Sequence, residues 1–380
     1  LMPRLYGHAH IGATETPLIA FWVAASAAAW WAVERTSRVG WALAGVALGL
    51  AAGTKFTGVL AVVPVAAWGL WRDRRATLRG LPIAVGVGIV VFWVLNPMLW
   101  FDPGRFFGVW LWESLHRGDY APIGTYYLGR VYTFSLPWHH VFVMTAAVTP
   151  IGILTLAGLG GFQGLRRLDP LVVLSTGTVA FIWGLLLLPG APHHNGVRMF
   201  IVVFPFMAML AGYGVHWAWA NIAGRVREAL LALAFVPAAV QLAWIHPLEL
   251  SYYGEIVGGV RGADRLGLET TYWMDAFTEP VLEWMNRELP PDAKVWVFGN
   301  EITLVFQQAY GSLRRDIELR SEGPGSEWAA VVMWRGVMSP EFVAELERTR
   351  PAYALELQGV PLVAIYRLGA PTPAPEDRPQ

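Results

Sequence analysis

Apolar runs of about 15 to 22 residues recur along this chain, close to the roughly 20 residues a helix needs to cross the hydrocarbon core of a bilayer. Eight can be read, at about residues 17–33, 39–52, 56–71, 81–101, 141–161, 171–188, 199–219 and 229–245. One buried helix of a soluble domain mimics one run; it does not produce a series of eight. The composition agrees, with 55% of residues hydrophobic and 15% charged. The expected fold class is a polytopic α-helical membrane protein. There are no cysteines, so a disulfide framework and a thiolate metal site are both excluded.

The charges between the runs alternate. The loops ERTSR (34–38), RDRRATLR (72–79), QGLRRLD (163–169) and NIAGRVRE (221–228) hold ten arginines against four acids. By the positive-inside rule this set faces the cytoplasm. The other set is the N-terminal stretch, GTKFTG (53–58), the long loop 102–140, PGAPHHNGVR (189–198) and everything after residue 245. It is expected outside, on the periplasmic or extracellular side of a plasma (inner) membrane. A miscount by one helix would scramble this alternation, and the eight-span reading keeps it intact.

Residues 1–245 thus read as a transmembrane domain, with 102–140 as an interfacial loop. Within that loop Phe106, Phe107, Trp110, Leu111 and Leu115 fall on one helical stripe, the pattern of an amphipathic helix lying in the interface. From residue 246 the charge becomes mixed and the periods of strand and helix alternate. KVWVFG (294–299) and WAAVVMW (328–334) read as buried strands, and 351–357 with 361–368 as a hairpin. Helical patterns lie at about 277–289, 301–310 and 339–349. Residues 246–370 are therefore expected to form an outer-face soluble α/β domain, and the Pro-rich residues 371–380 a disordered tail. No internal repeat is visible, which counts against an inverted-repeat transporter. The chain opens on outward-facing residues with no basic n-region before them. Either Met2 is the start or the first spans are missing; the second is preferred, because an N-terminus that begins outside is awkward to insert.

Polar residues gather at the outer ends of the runs. Lys55 sits between two short apolar stretches, where a lysine either snorkels to water or serves a function, such as holding a lipid phosphate. Asn195 and Arg198 stand at the mouth of the seventh run, beside His193 and His194. An arginine there is either a solvated loop residue or a planar fork for phosphate oxygens. His140 closes the long loop. In YGHAHIGATETPL (6–18), Glu15 precedes Thr16-Pro17, and an acid at a helix start is favoured by the dipole whatever else it does. His8, His10 and Glu15 also suit a polar set that orients a substrate or holds a divalent metal.

Taken in order, these stretches resemble the GT-C membrane glycosyltransferases of the protein O-mannosyltransferase and aminoarabinose-transferase type (glycosyltransferase family 39-like). PRLYGHAHIGATETPLIAFW is similar to that family's segment in which a proline, a Gly-His-Ala and a Thr-Asp-Pro precede a span. GVALGLAAGTKFTGVLAVVP resembles its Gly-rich helix, lysine and following helix. NGVRMFIVVFPFMAMLAGYG resembles its Arg-aromatic span, and HPLELSYYGEIVGGVRGADRLGLETTYW a stretch before the outer domain of bacterial members. The resemblance covers roughly 3–70 and 195–275. It implies a GT-C-like helix bundle that transfers a hexosyl or pentosyl group from a polyprenyl-phosphate donor to an acceptor hydroxyl on protein, lipid or glycan, with inversion, on the outer face. It also implies membrane lipids as partners and no nucleic acid. Glu15 corresponds to the family's second acidic position, normally Asp, with His8 and His10 beside it. Lys55, Arg198, Asn195 and His140 would bind the lipid phosphate. The expected general-base Asp lies upstream of this chain; failing that, Asp102, Glu113 or Asp119 substitutes or the protein is not catalytic. No cofactor is certain, and a divalent metal is compatible. The alternative activity is transport or flipping of an amphipathic phospholipid-like substrate.

Overall fold

The computed structural model describes residues 1–116, 123–133, 135–191, 196–271 and 276–369. The expected tail, 371–380, lies outside the described residues. The chain forms two compact units, residues 1–122 with 134–244 and residues 123–133 with 245–380. The segment 123–133, taken from the sequence as part of an interfacial loop, packs in the second unit.

The first unit is helical. Its elements are α1 (Pro3–His10), α2 (Glu15–Glu34), α3 (Arg38–Thr54), a 3-10 segment (Phe56–Ala61) leading into α4 (Val62–Arg72), α5 (Arg74–Leu95), α6 (Met98–Phe101) and α7 (Pro103–Leu115). After the second unit's hairpin come α8 (His140–Val148), α9 (Ile151–Arg166), α10 (Pro170–Leu186), α11 (Val203–Asn221) and α12 (Gly224–Ile245). The turns are tight because caps start each next helix. Ser37 Oγ accepts from the Gly40 amide, Asp73 from Ala76, and Asp169 from Leu171 and Val172.

Helices in lipid gain little from burying apolar surface against one another, so close backbone approach carries the packing. Gly45 and Gly49 of α3 face Ala84 and Gly88 of α5, and a Cβ at Gly49 would lie 2.6 Å from the Gly88 carbonyl oxygen. Gly160 of α9 and Gly214 of α11 do the same against the carbonyls of Leu210 and Leu156. The first pair ascends together in number, so α3 runs parallel to α5. In the second each glycine's Cβ, which leans toward its own N-terminus, would meet the carbonyl four residues before the partner glycine, so α9 runs parallel to α11. The turns 34–38, 72–74, 166–170 and 221–224 therefore share one end of the unit. There Arg72 donates to both oxygens of Glu34, at 2.8 and 3.1 Å, and Trp68 Nε1 donates to the Pro170 carbonyl at 2.7 Å.

Among the described residues, α2, α5 and α12 are long and apolar enough to cross a membrane. The pair α8–α9 passes that test jointly but is bent by 119°. The segments Arg38–Thr54, Phe56–Arg72 and Pro170–Leu186 are apolar but shorter. This is a multi-pass membrane chain, and among the described residues three helices reach crossing length by length and composition, four if α8–α9 is one span. The run read as 81–101 ends at Leu95, because Pro97 follows and α6 starts afresh. The run 141–161 breaks at Pro150, which cannot donate an amide to a continuing helix. The stripe expected on α7 is divided. Trp110 packs edge-on to Phe56 and Phe92, at 4.8 and 5.9 Å, while Phe107 and Leu111 stay about half exposed.

The second unit is α/β. The hairpin β1 (Thr125–Tyr127) and β2 (Arg130–Tyr132) is separate from a five-stranded sheet. That sheet comprises β3 (Lys294–Phe298), β4 (Glu318–Arg320), β5 (Trp328–Val332), β6 (Tyr353–Leu357) and β7 (Val360–Arg367), in the order β4-β3-β5-β7-β6. β4 and β5 flank β3 in parallel; β7 runs antiparallel to β5 and β6. Alternate residues feed two cores. Val295, Val297, Ala330 and Val363 pack with α14 (Glu279–Glu288) and α15 (Glu301–Tyr310); Trp296, Phe298, Ala329 and Val331 face α16 (Pro340–Arg348). α13 (Gly259–Arg265) precedes them. β4, α13 and the β1–β2 hairpin were not read from the sequence.

One buried carboxylate braces this unit. Glu269 accepts the amides of Arg335 at 3.0 Å and Gly336 at 2.7 Å, and its own carbonyl accepts the Tyr253 hydroxyl at 2.6 Å. Burial pushes its carboxyl up to about 8, against the opposing pull of the Gly336 and Arg335 amides. The folded form thus keeps a proton that the unfolded chain releases above its ordinary value, so stability is full at low pH and falls as pH rises from about 4.5 to about 8. The loss expected across that window is on the order of 4 kcal/mol, and thermal unfolding of the full chain at stepped pH, beside Glu269→Gln, measures it. The variant should flatten the dependence. In the first unit, Gly49→Val should cost about 1–3 kcal/mol by overpacking, whereas Gly158→Ala, where an added Cβ meets nothing within 4 Å, should cost none. Melting of the two variants in detergent separates these outcomes.

Candidate active site

Glu15 opens α2 and is completely buried, in the first turn, where the helix dipole favours a negative charge. Lys55 terminates α3 in an extended conformation, φ −157° and ψ 145°, with its amide still bonded to the Ala51 carbonyl. A cation there faces the negative end of that helix. Arg198 begins the 3-10 turn Arg198–Phe200 that precedes α11. These three chain breaks meet at the end of the unit opposite the Glu34–Arg72 pair. Lys55 Nζ lies 2.9 Å and Arg198 Nε 2.6 Å from the same oxygen, Glu15 Oε1. The side chains of Lys55 and Arg198 are 18% and 20% exposed and that of Glu15 not at all, so the cations stand nearer the surface and the carboxylate behind them. Glu15 Oε2 is covered and, among the described residues, has no hydrogen-bond partner.

His8 joins this cluster. It is fully buried on α1, and its carbonyl accepts the Thr16 hydroxyl at 2.9 Å, tying α1 to the first turn of α2. Burial, helped by the neighbouring Arg4 guanidinium and opposed by the Glu15 carboxylate, lowers its imidazole to about 4. His8 is therefore neutral at physiological pH. His10, paired with it in the sequence reading, is exposed instead; its Nδ1 lies 2.8 Å from the Tyr6 carbonyl oxygen and its ring rests on Tyr6. Two residues further on, the helical turn points it away from His8. His140 is buried at the start of α8, edge-on to Phe200 at 6.2 Å, and so lies against the turn that carries Arg198. Asn195, His193, His194 and Asp119 lie outside the described residues. Asp102 caps α7 by accepting the Arg105 amide at 2.9 Å, and Glu113 is exposed. Among the described residues no three His, Asp or Glu side chains converge as a metal would require.

Arg4 was not singled out from the sequence. It is 1% exposed and stands one helical turn before His8. The signal was there: Arg4 and His8 are four residues apart on one face of a helix started by Pro3.

One end of this multi-pass membrane chain thus carries a buried carboxylate between two basic side chains. Residues 1–101 match the family model described as dolichyl-phosphate-mannose-protein mannosyltransferase, so over that stretch the chain has the resemblance drawn from its motifs. The matched stretch includes Arg4, His8, Glu15 and Lys55, and ends before Arg198. No curated protein matches the chain.

Removing the buried partner of two cations is costlier than removing either cation. Glu15→Ala is expected to destabilise the first unit by about 3–5 kcal/mol, and Lys55→Met by less, since Arg198 still neutralises the carboxylate. Thermal unfolding of the two variants side by side tests the order; equal melting temperatures would contradict it.

Proposed function

We propose that this chain is a glycosyltransferase that moves a sugar from a polyprenyl-phosphate donor to an acceptor hydroxyl on the outer face of a plasma membrane. The observation that carries this reading is the Glu15 carboxylate gathering Lys55 and Arg198 at one end of the helical unit, in a chain whose first 101 residues match a polyprenyl-phosphate-sugar transferase family. The opposite end bears the arginine-rich turns, and the positive-inside rule then assigns the Glu15 end to the outside. Nucleotide sugars are cytoplasmic, so an outer-face transferase needs a sugar carried across on a lipid.

In the reaction the acceptor oxygen attacks the anomeric carbon, the bond from that carbon to the phosphate oxygen breaks, and polyprenyl phosphate departs with the electron pair. A direct displacement inverts the anomeric centre. The leaving phosphate gains charge as its bond lengthens, and Lys55 with Arg198 stabilises that charge more in the transition state than in the bound donor. Glu15 holds the two cations together against their mutual repulsion, so their positions are set before the donor arrives. The acceptor proton passes to an acidic side chain outside this cluster, for which the family resemblance implies a preceding outer loop. His8, neutral and buried, keeps the wall behind Glu15 without adding charge. The GT-C bundle, the outer placement of the second unit and the interfacial position of α7 belong to the same proposal. The family match lends no support to lipid transport.

Transfer of radiolabelled sugar from a polyprenyl-phosphate donor by the full-length protein in membranes tests this function. Lys55→Ala and Arg198→Ala should each lower turnover by about 10²-fold or more, the range for losing one charge-stabilising donor, while remaining folded. Unchanged turnover in both would refute the phosphate role, and absence of transfer by the unaltered protein with every acceptor class would refute the function.

A further inference from the structure

The end of the first unit away from Glu15 carries more positive charge than its architecture uses. Its four turns hold ten arginines and four acids. Each acid is engaged: Glu34 by Arg72, Glu228 by Arg227, and Asp73 and Asp169 as helix caps. Arg227 and Arg166 also lie over the rings of Trp219 and Phe162. Arg35, Arg38, Arg74, Arg75, Arg79, Arg167 and Arg225 are exposed, and none has an acidic partner among the described residues. Helix stability does not account for them. Arg38 starts α3, Arg74 and Arg75 start α5, and Arg225 stands in the first turn of α12; no acid lies in the first turn of any of these. Cations at those ends oppose the helix dipole. Orientation in the membrane does not require this density either, since a smaller excess of arginine already sets it.

We propose that this end face is a binding surface for anionic phospholipid headgroups, centred on Arg74, Arg75 and Arg79 at the start of α5. The three arginines lie within the first six residues of a helix whose apolar surface, including Leu78, Val85 and Ile89, is exposed. A lipid seated there would set its acyl chains on those side chains and its phosphate among the guanidinium groups. Arginine suits this because its planar fork takes two phosphate oxygens at once. Each basic residue near a membrane surface is worth about fivefold in affinity for an anionic headgroup.

The test is binding of fluorescent phosphatidylglycerol and phosphatidylcholine to the purified full-length chain in neutral detergent, with Arg74→Gln/Arg75→Gln/Arg79→Gln and the corresponding triple Lys variant beside it. The unaltered chain should prefer phosphatidylglycerol. The Gln variant should lose at least tenfold of that preference and the Lys variant retain most of it. Raising the salt from about 0.1 M to about 1 M, which shortens the screening length from about 10 Å to about 3 Å, should abolish the preference. No preference in the unaltered chain, a preference the Gln variant keeps, or one insensitive to salt would each overturn the proposal. So would displacement of the lipid by an equal concentration of inorganic phosphate, which would mark a small-anion site. Should the Gln variant fail to fold, the salt series on the unaltered chain decides alone. Binding is read without turnover, so its failure leaves the transferase reading untouched.

Discussion

A carboxylate with no exposed surface cannot stay charged beside a membrane without partners, and the first unit is arranged around that constraint. Glu15 Oε1 is shared by Lys55 and Arg198, residues 40 and 183 positions away. Two cations would not approach a common point unaided, and one anion between them reverses the sign of the interaction. Each group sits at a break between helices, where the backbone can place a side chain across the bundle rather than along it. The end of α3, the start of α2 and the turn before α11 must therefore stay in register for the site to exist. Between α2 and α3 the close approach of Gly40 to Ala32 fixes that register at the scale of single backbone atoms.

The sequence made some of this legible and not the rest. Apolar runs located the helices, because a membrane helix needs an uninterrupted stretch and little else. Their ends were less visible: Pro150 and Pro97 break what hydropathy reads as continuous, since proline is apolar enough to pass unnoticed in such a count. Glu15, Lys55 and Arg198 were each conspicuous as polar residues at the edge of an apolar run. Their meeting on one oxygen was not, as nothing in a linear pattern relates residue 15 to residue 198. His10 shows the opposite failure: its place beside His8 in the sequence suggested a pair, and the helix turns it to solvent. Arg4 escaped notice because a basic residue near the start of a chain is unremarkable until its burial is known.

In the second unit the strands β3, β5, β6 and β7 announced themselves through alternating apolar residues, and their helices through amphipathic spacing. β1, β2 and β4 are three residues each, below the length at which alternation carries information. The hairpin also lies more than a hundred residues before the rest of its unit. Charge and composition, read as local averages, assigned it to its neighbours in the chain.

That displaced hairpin sets the order of assembly. Gly129 pairs with the carbonyl of Gly267, and Gly124 lies against Gly336, so the hairpin's partners leave the ribosome roughly 140 to 210 residues after it does. At synthesis rates of about 5–20 residues per second it waits about 7–40 s, while the helices from α8 to α12 are made in between. The second unit therefore cannot close as an independent domain appended at the end of translation. Closing the α/β unit joins two stretches of chain made at separate times, so it is completed only after α8 to α12 have been synthesised.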